Sequence, residues 1–425
     1  ARQLALLDTS LRRFGDRIIG TEDDRATHDC FLHLRFLARD LPAVGHARFF
    51  LDDDGDGSRA APDHPVRAAS GSESATIENE HLTATLFPDG TFNLLDRATG
   101  RDYAGLNLLE DAEDCGDEYD YSPAEGNAMF FSAGAPGKVK IVQADALAAV
   151  AEASFRFDLP RSLERDRKSR NPKTTPCDVT VRLTLRAGAR RVDVATEFNN
   201  RAFDHRLRAW FPTGLATDTV TADGHFMLNE RPVVRPSNED WDQPAPPTWP
   251  QQDFAFLVEE GAGLAFFNRG LPEFETFDDG SRGVIYALTL TRAVDWLSRD
   301  DFGSRKSTNA GPTLHTPDAQ LIGRHTFEYV VMPFAGDSFA ADLKGESERF
   351  RTLPVTHQGV VEGSVPGGVS FVRQADPRVA VTAIKKAEDD DRLIIRLYNQ
   401  ATGPAEARLH LGLGASAAAK TGLME

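Results

Sequence analysis

The chain has 425 residues, a net charge of −17 and a hydrophobic share of 40%. So acidic a protein repels phosphate backbones and anionic lipid faces, which excludes nucleic acid and a charged membrane surface as partners. No apolar run approaches the roughly 20 residues that cross a bilayer. The three scattered cysteines, Cys30, Cys115 and Cys177, suggest neither a disulfide framework nor a metal site. We expect a cytoplasmic protein.

Short apolar alternations bounded by Gly, Pro, Asn and Asp recur along the chain, and helical periodicity is scarce, which predicts an all-β protein. Residues 33–51 predict two strands around a turn at 41–45. The polar stretch 52–74 is typical of a loop or linker. Residues 75–95 predict a hairpin that turns at 87–90.

Further strands are predicted at 139–142, 147–158, 177–186, 191–198 and 327–334. The stretch 161–176, rich in Arg, Lys and Pro, predicts an exposed loop or a long hairpin tip. Long irregular loops are expected at 229–253, 277–283 and 295–317, and loops of that length are usually functional. Residues 336–351 form the most helix-like segment, and strands at 379–385 and 392–398 flank an acidic turn at 388–391.

The segment 113–123 holds five carboxylates and two tyrosines in a turn-prone stretch. Carboxylates and phenols are groups that bind sugar hydroxyls, because they offer several acceptors and a flat ring. The alternative is an acidic surface loop without a ligand. A second polar concentration lies at 289–317, where Arg292, Arg299 and Arg305 accompany Trp296. It predicts either the rim of a site for a polar ligand or a set of surface salt bridges.

Metal-binding patterns are weak. Asp52, Asp54, Asp56 and Asp63 have the spacing of a calcium loop, with Gly57 at the turn, but no amphipathic helix flanks them and an acidic linker has the same composition. The lone His28-Asp29-Cys30 run has no partner at ligand spacing. No Gly-rich phosphate loop, nucleophile elbow or His-Glu-x-x-His motif is present.

Taken in order, several stretches resemble the C-terminal β region of family 38 glycoside hydrolases, the α-mannosidases, and within it the bacterial mannosylglycerate-hydrolase branch. The matching stretches are 40–45, 77–79, 89–90, 116–123, 199–200, 204–208, 211–215, 224–226, 231–232, Trp241, 270–273, 288–292, 310–312 and 396–399. The resemblance covers nearly the whole chain, although no single motif decides it.

This resemblance implies a large two-sheet supersandwich of mutarotase-like type with smaller β-sandwich units before and after it. The implied domains are a small β-sandwich with a linker at 1–70, the supersandwich at 71–354, and a C-terminal β unit, expected to be incomplete, at 355–425. The family's α/β catalytic domain and helical bundle would precede Ala1. Members hold zinc through a His-x-Asp pair, a nucleophilic Asp and a further His, whereas none of the eleven His of this chain begins a His-x-Asp.

The resemblance also implies site residues. A Tyr-x-aromatic-x-Pro pattern that contacts mannose in the family reads here as residues 119–123, so Tyr119 takes that role. Arg292, with Arg305 as a second choice, is expected to approach the sugar. Asp114 and Asp117 are expected to support the loop or to contact a hydroxyl. No catalytic residue and no cofactor are expected within this chain, and zinc is expected in the catalytic domain.

Three functions compete. The chain is predicted to be the non-catalytic part of a zinc-dependent retaining α-mannosidase-like enzyme, which binds a mannoside together with the missing catalytic and helical domains. It could instead be a self-standing carbohydrate-binding or mutarotase-like module, since a fold does not fix a function. A structural remnant without a ligand is the third alternative.

Overall fold

A computed structural model describes residues 4–14, 17–18, 30–39, 41–49, 62–126, 128–236, 241, 243–303, 305–306, 308–357, 367–412 and 414–422. The chain forms two compact units, one spanning His64–Leu343 and the other combining Ala1–Asp63 with Lys344–Glu425.

Four strands precede the larger unit: β1 Leu4–Phe14, β2 Arg17–Ile18, β3 Cys30–Arg39 and β4 Gly45–Ala47. β1 pairs antiparallel with both β2 and β3. The two strands predicted around the turn at 41–45 are therefore confirmed as β3 and β4. They do not pair with each other, because β3 lies against β1.

The larger unit begins with a five-stranded antiparallel sheet. Its strands are β5 Arg67–Ser70, β6 Ala75–Glu78, β7 Leu82–Leu86, β8 Phe92–Asp96 and β9 Asp102–Leu106, in that order across the sheet. Buried and part-buried side chains alternate along β7 and β8, as period-2 patterning requires. The predicted hairpin turn is confirmed: Gly90 takes a φ of 83°, and Asp89 accepts a hydrogen bond from the Thr91 amide at 3.0 Å.

The remaining strands of this unit form two large sheets and one short hairpin. They are β10 Leu108–Glu113, β11 Met129–Phe131, β12 Gly137–Ala144, β13 Ala148–Pro160, β14 Thr174–Arg186, β15 Val192–Asn200, β16 His205–Pro212, β17 Thr219–Gly224, β18 Met227–Pro232, β19 Thr248–Pro250, β20 Phe254–Glu259, β21 Ala262–Asn268, β22 Glu273–Asp278, β23 Val284–Ala293, β24 Asp301–Phe302, β25 Arg305–Lys306 and β26 Gly323–Ala335. A 3-10 turn, Pro317–Gln320, precedes β26.

The six-stranded sheet has the order β11-β10-β16-β23-β22-β19, and the nine-stranded sheet has the order β12-β13-β14-β15-β26-β21-β20-β17-β18. β24 and β25 pair with each other as a two-stranded hairpin. The strands predicted at 139–142, 147–158, 177–186, 191–198 and 327–334 are all confirmed, each within a longer strand.

Aromatic side chains fill the space between the two large sheets. Tyr286 of the six-stranded sheet stacks on Phe266 of the nine-stranded sheet, with ring centroids 4.1 Å apart and planes 2° apart. The ring centroid of Phe211 lies 5.1 Å from that of Phe266 and 5.9 Å from that of Tyr329. All four rings are buried. Because each sheet covers the apolar face of the other, the unit is a two-sheet β-supersandwich, as the sequence predicted.

The second unit contains the helix α1 Leu343–Arg351 and the strands β27 Gly368–Ser370, β28 Val372–Gln374, β29 Val379–Lys386, β30 Leu393–Asn399 and β31 Leu409–Leu411. The helix lies within the segment predicted as most helix-like. β29 and β30 pair antiparallel around the acidic turn, which confirms that hairpin. β4 pairs with β27, so this unit joins the first and last parts of the chain. The division at 1–70, 71–354 and 355–425 stays a prediction.

Within the described ranges, no helix combines the length and apolar character that crossing a bilayer requires.

The hydroxyl of Tyr329 makes buried polar contacts inside this core. It donates to Asn107 Oδ1 at 2.5 Å and contacts Thr196 Oγ1 at 2.6 Å, all in the buried interior. Tyr329→Phe removes this hydrogen bond and leaves a buried amide oxygen without its donor, so we expect the free energy of unfolding in urea to fall by about 1–3 kcal/mol. Tyr103→Phe is the matched control, since the buried Tyr103 makes no side-chain hydrogen bond within the described chain. Equal effects of the two changes would contradict the assigned hydrogen bond.

Candidate functional site

Residues 114–123, which we call the acidic loop, leave the end of β10 and fold back on themselves. The amide of Asp117 donates to the carbonyl of Asp120 at 3.1 Å. Gly116 is required at the fold, because a Cβ there would lie 1.9 Å from the carbonyl oxygen of Asp120. The segment is therefore a closed loop rather than an extended surface stretch.

Asp114 and Asp117 hold the loop from inside. Asp114 Oδ1 accepts from the amides of Gly116 at 3.0 Å and Ser122 at 3.2 Å. Asp117 Oδ1 accepts from the amide of Tyr119 at 3.0 Å. Both carboxylates are buried. These contacts agree with the loop-supporting role expected for them, while contact with a ligand hydroxyl stays a prediction.

An arginine from the neighbouring strand β23 fixes the loop to the six-stranded sheet. Arg292 Nε donates to Asp114 Oδ2 at 2.8 Å, and Arg292 Nη2 donates to the carbonyl of Asp117 at 2.8 Å. Its side chain keeps 16% of its surface exposed. The guanidinium therefore joins a buried carboxylate to the loop surface.

Arg305 of β25 clamps the same loop more deeply. Its Nη1 donates to Asp117 Oδ2 at 2.5 Å, and its Nη2 donates to Asp120 Oδ2 at 2.6 Å. The backbone amide of Arg299 donates to Asp117 Oδ2 at 2.8 Å. The Arg305 side chain is only 4% exposed, so these are buried ion pairs.

The hairpin between β13 and β14 holds the loop from the other side. Its tip, residues 161–173, carries Arg167, whose Nη2 donates to the carbonyl of Cys115 at 2.5 Å. Arg170 Nη2 lies 2.5 Å from Asp111 Oδ1, with 4% of the arginine side chain exposed. The hairpin tip predicted from the sequence is confirmed, but the expectation of exposure is wrong for Arg170. The fold can bury the charge of Arg170 because the carboxylate of Asp111 compensates it.

Asp111 is also the partner of a buried histidine. Asp111 Oδ2 and His205 Nδ1 are 2.5 Å apart, and His205 Nε2 lies 3.1 Å from Asn200 Oδ1. The Asn200 amide donates to the carbonyl of Gln320, which fixes its oxygen toward the imidazole. Burial would raise the pKa of Asp111, but the charges of His205 and Arg170 outweigh it and hold that pKa below its ordinary value.

Tyr119 is the outward feature of the acidic loop. Its side chain is 53% exposed, and its ring lies over Arg305, whose Cζ is 5.9 Å from the ring centroid. A Cβ on Gly311 would lie 2.9 Å from the Tyr119 hydroxyl, so the backbone at 311 approaches the phenol closely. A rigid loop thus presents an exposed phenol, and the part-exposed Arg292 binds the same loop.

A further polar cluster, which was not predicted from the sequence, lies on the face of the six-stranded sheet that points away from the aromatic core. Arg208 Nε donates to Glu110 Oε2 at 2.6 Å and its Nη1 donates to Glu275. Arg206 lies face-on over Tyr121, with Cζ 3.4 Å from the ring centroid. Arginines at alternate positions of an otherwise apolar strand were the signal available in the sequence, because one face of β16 then has to be polar.

The structure brings all five predicted site residues together, since Tyr119, Asp114 and Asp117 lie on the acidic loop and Arg292 and Arg305 bind it. Of the calcium candidates, Asp52, Asp54 and Asp56 lie outside the described residues, so the calcium loop stays a prediction. Across the described part of the chain, no three His, Cys, Asp or Glu side chains form a group that could hold a metal ion.

The fold matches that of α-mannosidase structures. An α-mannosidase from Enterococcus faecalis V583 superposes with a TM-score of 0.75 at 21% identity, covering 97% of this chain and 45% of that one. A family 38 glycosyl hydrolase from Enterococcus faecalis gives 0.74 at 21% identity, covering 96% and 47%. The chain therefore has the fold of the β region of such proteins.

The family follows from the sequence models. The model of the glycosyl hydrolases family 38 C-terminal domain matches residues 77–302, and that of the family 38 C-terminal beta sandwich domain matches 378–425. The chain belongs to glycoside hydrolase family 38, as part of its C-terminal region. A curated relative from Halalkalibacterium halodurans, provisionally named a mannosylglycerate hydrolase, is 26% identical over 341 residues. That match covers 76% of this chain and 36% of the relative, so the chain spans less than half the length of these proteins.

Removing Arg305 tests the clamp. Arg305→Met leaves the buried carboxylate of Asp117 without its paired charge, so we expect the free energy of unfolding to fall by about 3–5 kcal/mol. Arg324→Met is the matched control, because Arg324 is 70% exposed and pairs with Glu197 at the surface. That change should cost less than about 1 kcal/mol. Urea unfolding measures both, and similar losses would contradict a buried, charge-compensating role for Arg305.

Asp111 predicts an acid-sensitive contribution to stability. Its folded pKa is below the ordinary value, so the carboxylate stabilises the fold above its unfolded pKa of about 3.9, and this contribution is lost as the pH falls through the folded pKa. We expect Asp111→Asn to be less stable than wild type at neutral pH, and the difference to shrink below about pH 4. Urea unfolding across a pH series measures it. A difference that stays constant down to acid pH would show that the Asp111 charge does not contribute.

Proposed function

We propose that this chain is the non-catalytic C-terminal portion of a zinc-dependent, retaining α-mannosidase-like glycoside hydrolase, in which it forms one wall of the mannoside groove. The observation that carries the proposal is the acidic loop, locked by buried arginines and presenting Tyr119 outward, in a chain that belongs to family 38. The relatives' printed descriptions as α-mannosidase and mannosylglycerate hydrolase support a mannoside as the ligand.

Tyr119 and Arg292 would contact the sugar. A phenol both donates and accepts hydrogen bonds and offers an aromatic face to a pyranose ring, and a guanidinium donates to ring hydroxyls. The loop that carries Tyr119 is already held by ion pairs and backbone hydrogen bonds, so binding would order few additional groups. Such preorganisation lowers the entropic cost of binding.

The chemistry itself would lie elsewhere in the longer protein. A retaining glycosidase needs a nucleophilic carboxylate and an acid/base carboxylate beside the scissile bond. Asp114 and Asp117 do not suit either task, because both are buried and committed to arginines and backbone amides. The zinc ion and the attacking carboxylate would come from an α/β catalytic domain, with a helical domain beside it. This chain would pack against both in the cytoplasm.

A self-standing carbohydrate-binding or mutarotase-like module is the second candidate. The specific observation in its favour is that residues of this chain alone hold the acidic loop in place. Arg305 pairs with Asp117 in the loop, and Arg170 pairs with Asp111 just before it. A binding site preformed in this way does not require another domain to shape it. The two candidates differ in the affinity expected for the isolated chain.

Activity and binding measurements on the chain separate these candidates. We expect no hydrolysis of an aryl α-mannoside by the chain, with or without added zinc, because no described group of side chains could hold the metal. Turnover would overturn the proposal.

Calorimetry with methyl α-mannoside completes the test. A wall of a larger groove should bind in the millimolar range, which corresponds to about −4 kcal/mol, and a self-standing module in the micromolar range, at about −8 kcal/mol. Tyr119→Ala should weaken either interaction several-fold, while Tyr119→Phe, which keeps the ring, should weaken it less. Binding that is indifferent to both changes would remove Tyr119 from the site.

A further inference from the structure

The polar cluster behind the acidic loop contains hydrogen-bonding groups that the fold itself does not use. We call Glu110, Arg206, Arg208, Glu275 and Tyr121 the polar floor. β10, β16 and β22 of the six-stranded sheet supply four of these residues, and Tyr121 comes from the acidic loop above. Arg206 also faces Arg292 across the β16–β23 pair, so the floor adjoins the proposed sugar-contacting arginine.

Arg206 is the donor side of the floor. It is 3% exposed, and its Nε and Nη1 have no hydrogen-bond partner within the described chain. The carboxylate oxygen nearest its Nη2, on Glu275, is 3.9 Å away, beyond hydrogen-bonding distance. Stacking on Tyr121 occupies the face of the guanidinium and leaves its donor edge free. Buried donors without partners are costly, so a second molecule at this edge would be stabilising.

Glu110 and Tyr121 supply the complementary groups. Glu110 is fully buried, and its Oε2 accepts from Arg208 while its Oε1 has no partner among the described residues. The Tyr121 hydroxyl likewise makes no hydrogen bond to the described residues. Burial raises the pKa of Tyr121 to about 12, which keeps the phenol neutral and able to donate. The floor therefore offers one charged donor edge, one carboxylate acceptor and one hydroxyl.

The charges of the floor decide the class of ligand. Arg206 and Arg208 balance Glu110 and Glu275, so the set has no net charge, and the neutral Tyr121 does not change this. An anion would meet the unpaired oxygen of Glu110, and a cation would meet Arg206. A pair of adjacent hydroxyls suits both, because one can accept from the guanidinium while the other donates to the carboxylate.

From this arrangement we propose that the polar floor binds the vicinal diol of a neutral carbohydrate, with Arg206, Glu110 and Tyr121 as its contacts. The inference rests on the proposed function in taking the ligand to be a mannoside, and it adds a set of contacts behind those of Tyr119 and Arg292. Entry of the diol requires the part-exposed Tyr121 side chain to rotate off the Arg206 guanidinium, while the backbone of the acidic loop stays held by Asp114 and Asp117.

Titration by NMR with methyl α-mannopyranoside, up to about 100 mM, tests the proposal, since a diol contact of this kind corresponds to millimolar affinity. We expect Tyr121→Phe, which keeps the ring under Arg206, and Arg206→Lys, which loses the planar donor edge, each to weaken binding about 3- to 10-fold. Tyr103→Phe, in the five-stranded sheet, is the control and should bind as wild type does. If Arg206→Lys fails to fold, Tyr121→Phe alone decides.

A second probe tests the diol itself. The 2,3,4-tri-O-methyl ether of the same mannoside has no vicinal diol and should bind at least 10-fold more weakly. Equal affinity for the two probes, unchanged binding by Tyr121→Phe, or no saturable binding by the wild type would each overturn the inference. So would a crystal soaked with the mannoside in which only ordered water lies between Arg206 and Glu110.

The results separate this inference from the proposed function. Weaker binding by Tyr119→Ala together with unchanged binding by Tyr121→Phe would overturn the polar floor and leave the outer contact in place. The reverse pattern would support the floor and overturn the contact assigned to Tyr119.

Discussion

The candidate site depends on buried carboxylates whose negative charges are compensated by arginines. Asp111, Asp114 and Asp117 are buried, and a charge without a partner at such depth costs several kcal/mol. Arg170, Arg292 and Arg305 supply the opposite charges from three separate parts of the chain. The acidic loop therefore has this shape only when the hairpin between β13 and β14, the strand β23 and the strand β25 are all in place.

The six-stranded sheet has two chemically different faces. Phe211 and Tyr286 point into the aromatic core shared with the nine-stranded sheet. On the other face, Arg206 and Arg208 occupy alternate positions of the same strand as Phe211. The apolar face sets the stability of the supersandwich, and the charged face provides the surface on which the acidic loop rests. Core and site are consequently built from the same strands, which makes the geometry of the site rigid.

A rigid, charge-compensated loop suits a contact surface better than a catalytic one. Carboxylates paired with arginines and backbone amides are not free to attack or to transfer protons, whereas Tyr119 and Arg292 remain accessible. The chain also spans less than half of the family 38 proteins that it matches. The proposed role as a wall of the mannoside groove would account for the paired carboxylates.

The sequence by itself determined the fold class, because the period-2 alternation along strands such as β7, β8, β14 and β15 is a local property that each segment shows alone. It also gave Tyr119, Asp114, Asp117, Arg292 and Arg305 as candidate site residues, since the composition of their segments and the resemblance to family 38 are visible without coordinates. The turn at 87–90 and the hairpin at 379–398 were predictable for the same local reason, whereas the further turn between β6 and β7 was not predicted.

Only the tertiary structure decided which carboxylates are buried and which arginines they meet. Asp117 and Arg305 are 188 residues apart in sequence, and no local pattern specifies such a pair. The same holds for β4, whose partner β27 lies near the other end of the chain, and for the unused donors of Arg206 on the polar floor. These features arise where distant strands meet, because the electrostatic cost of burial depends on the neighbours that the fold brings together.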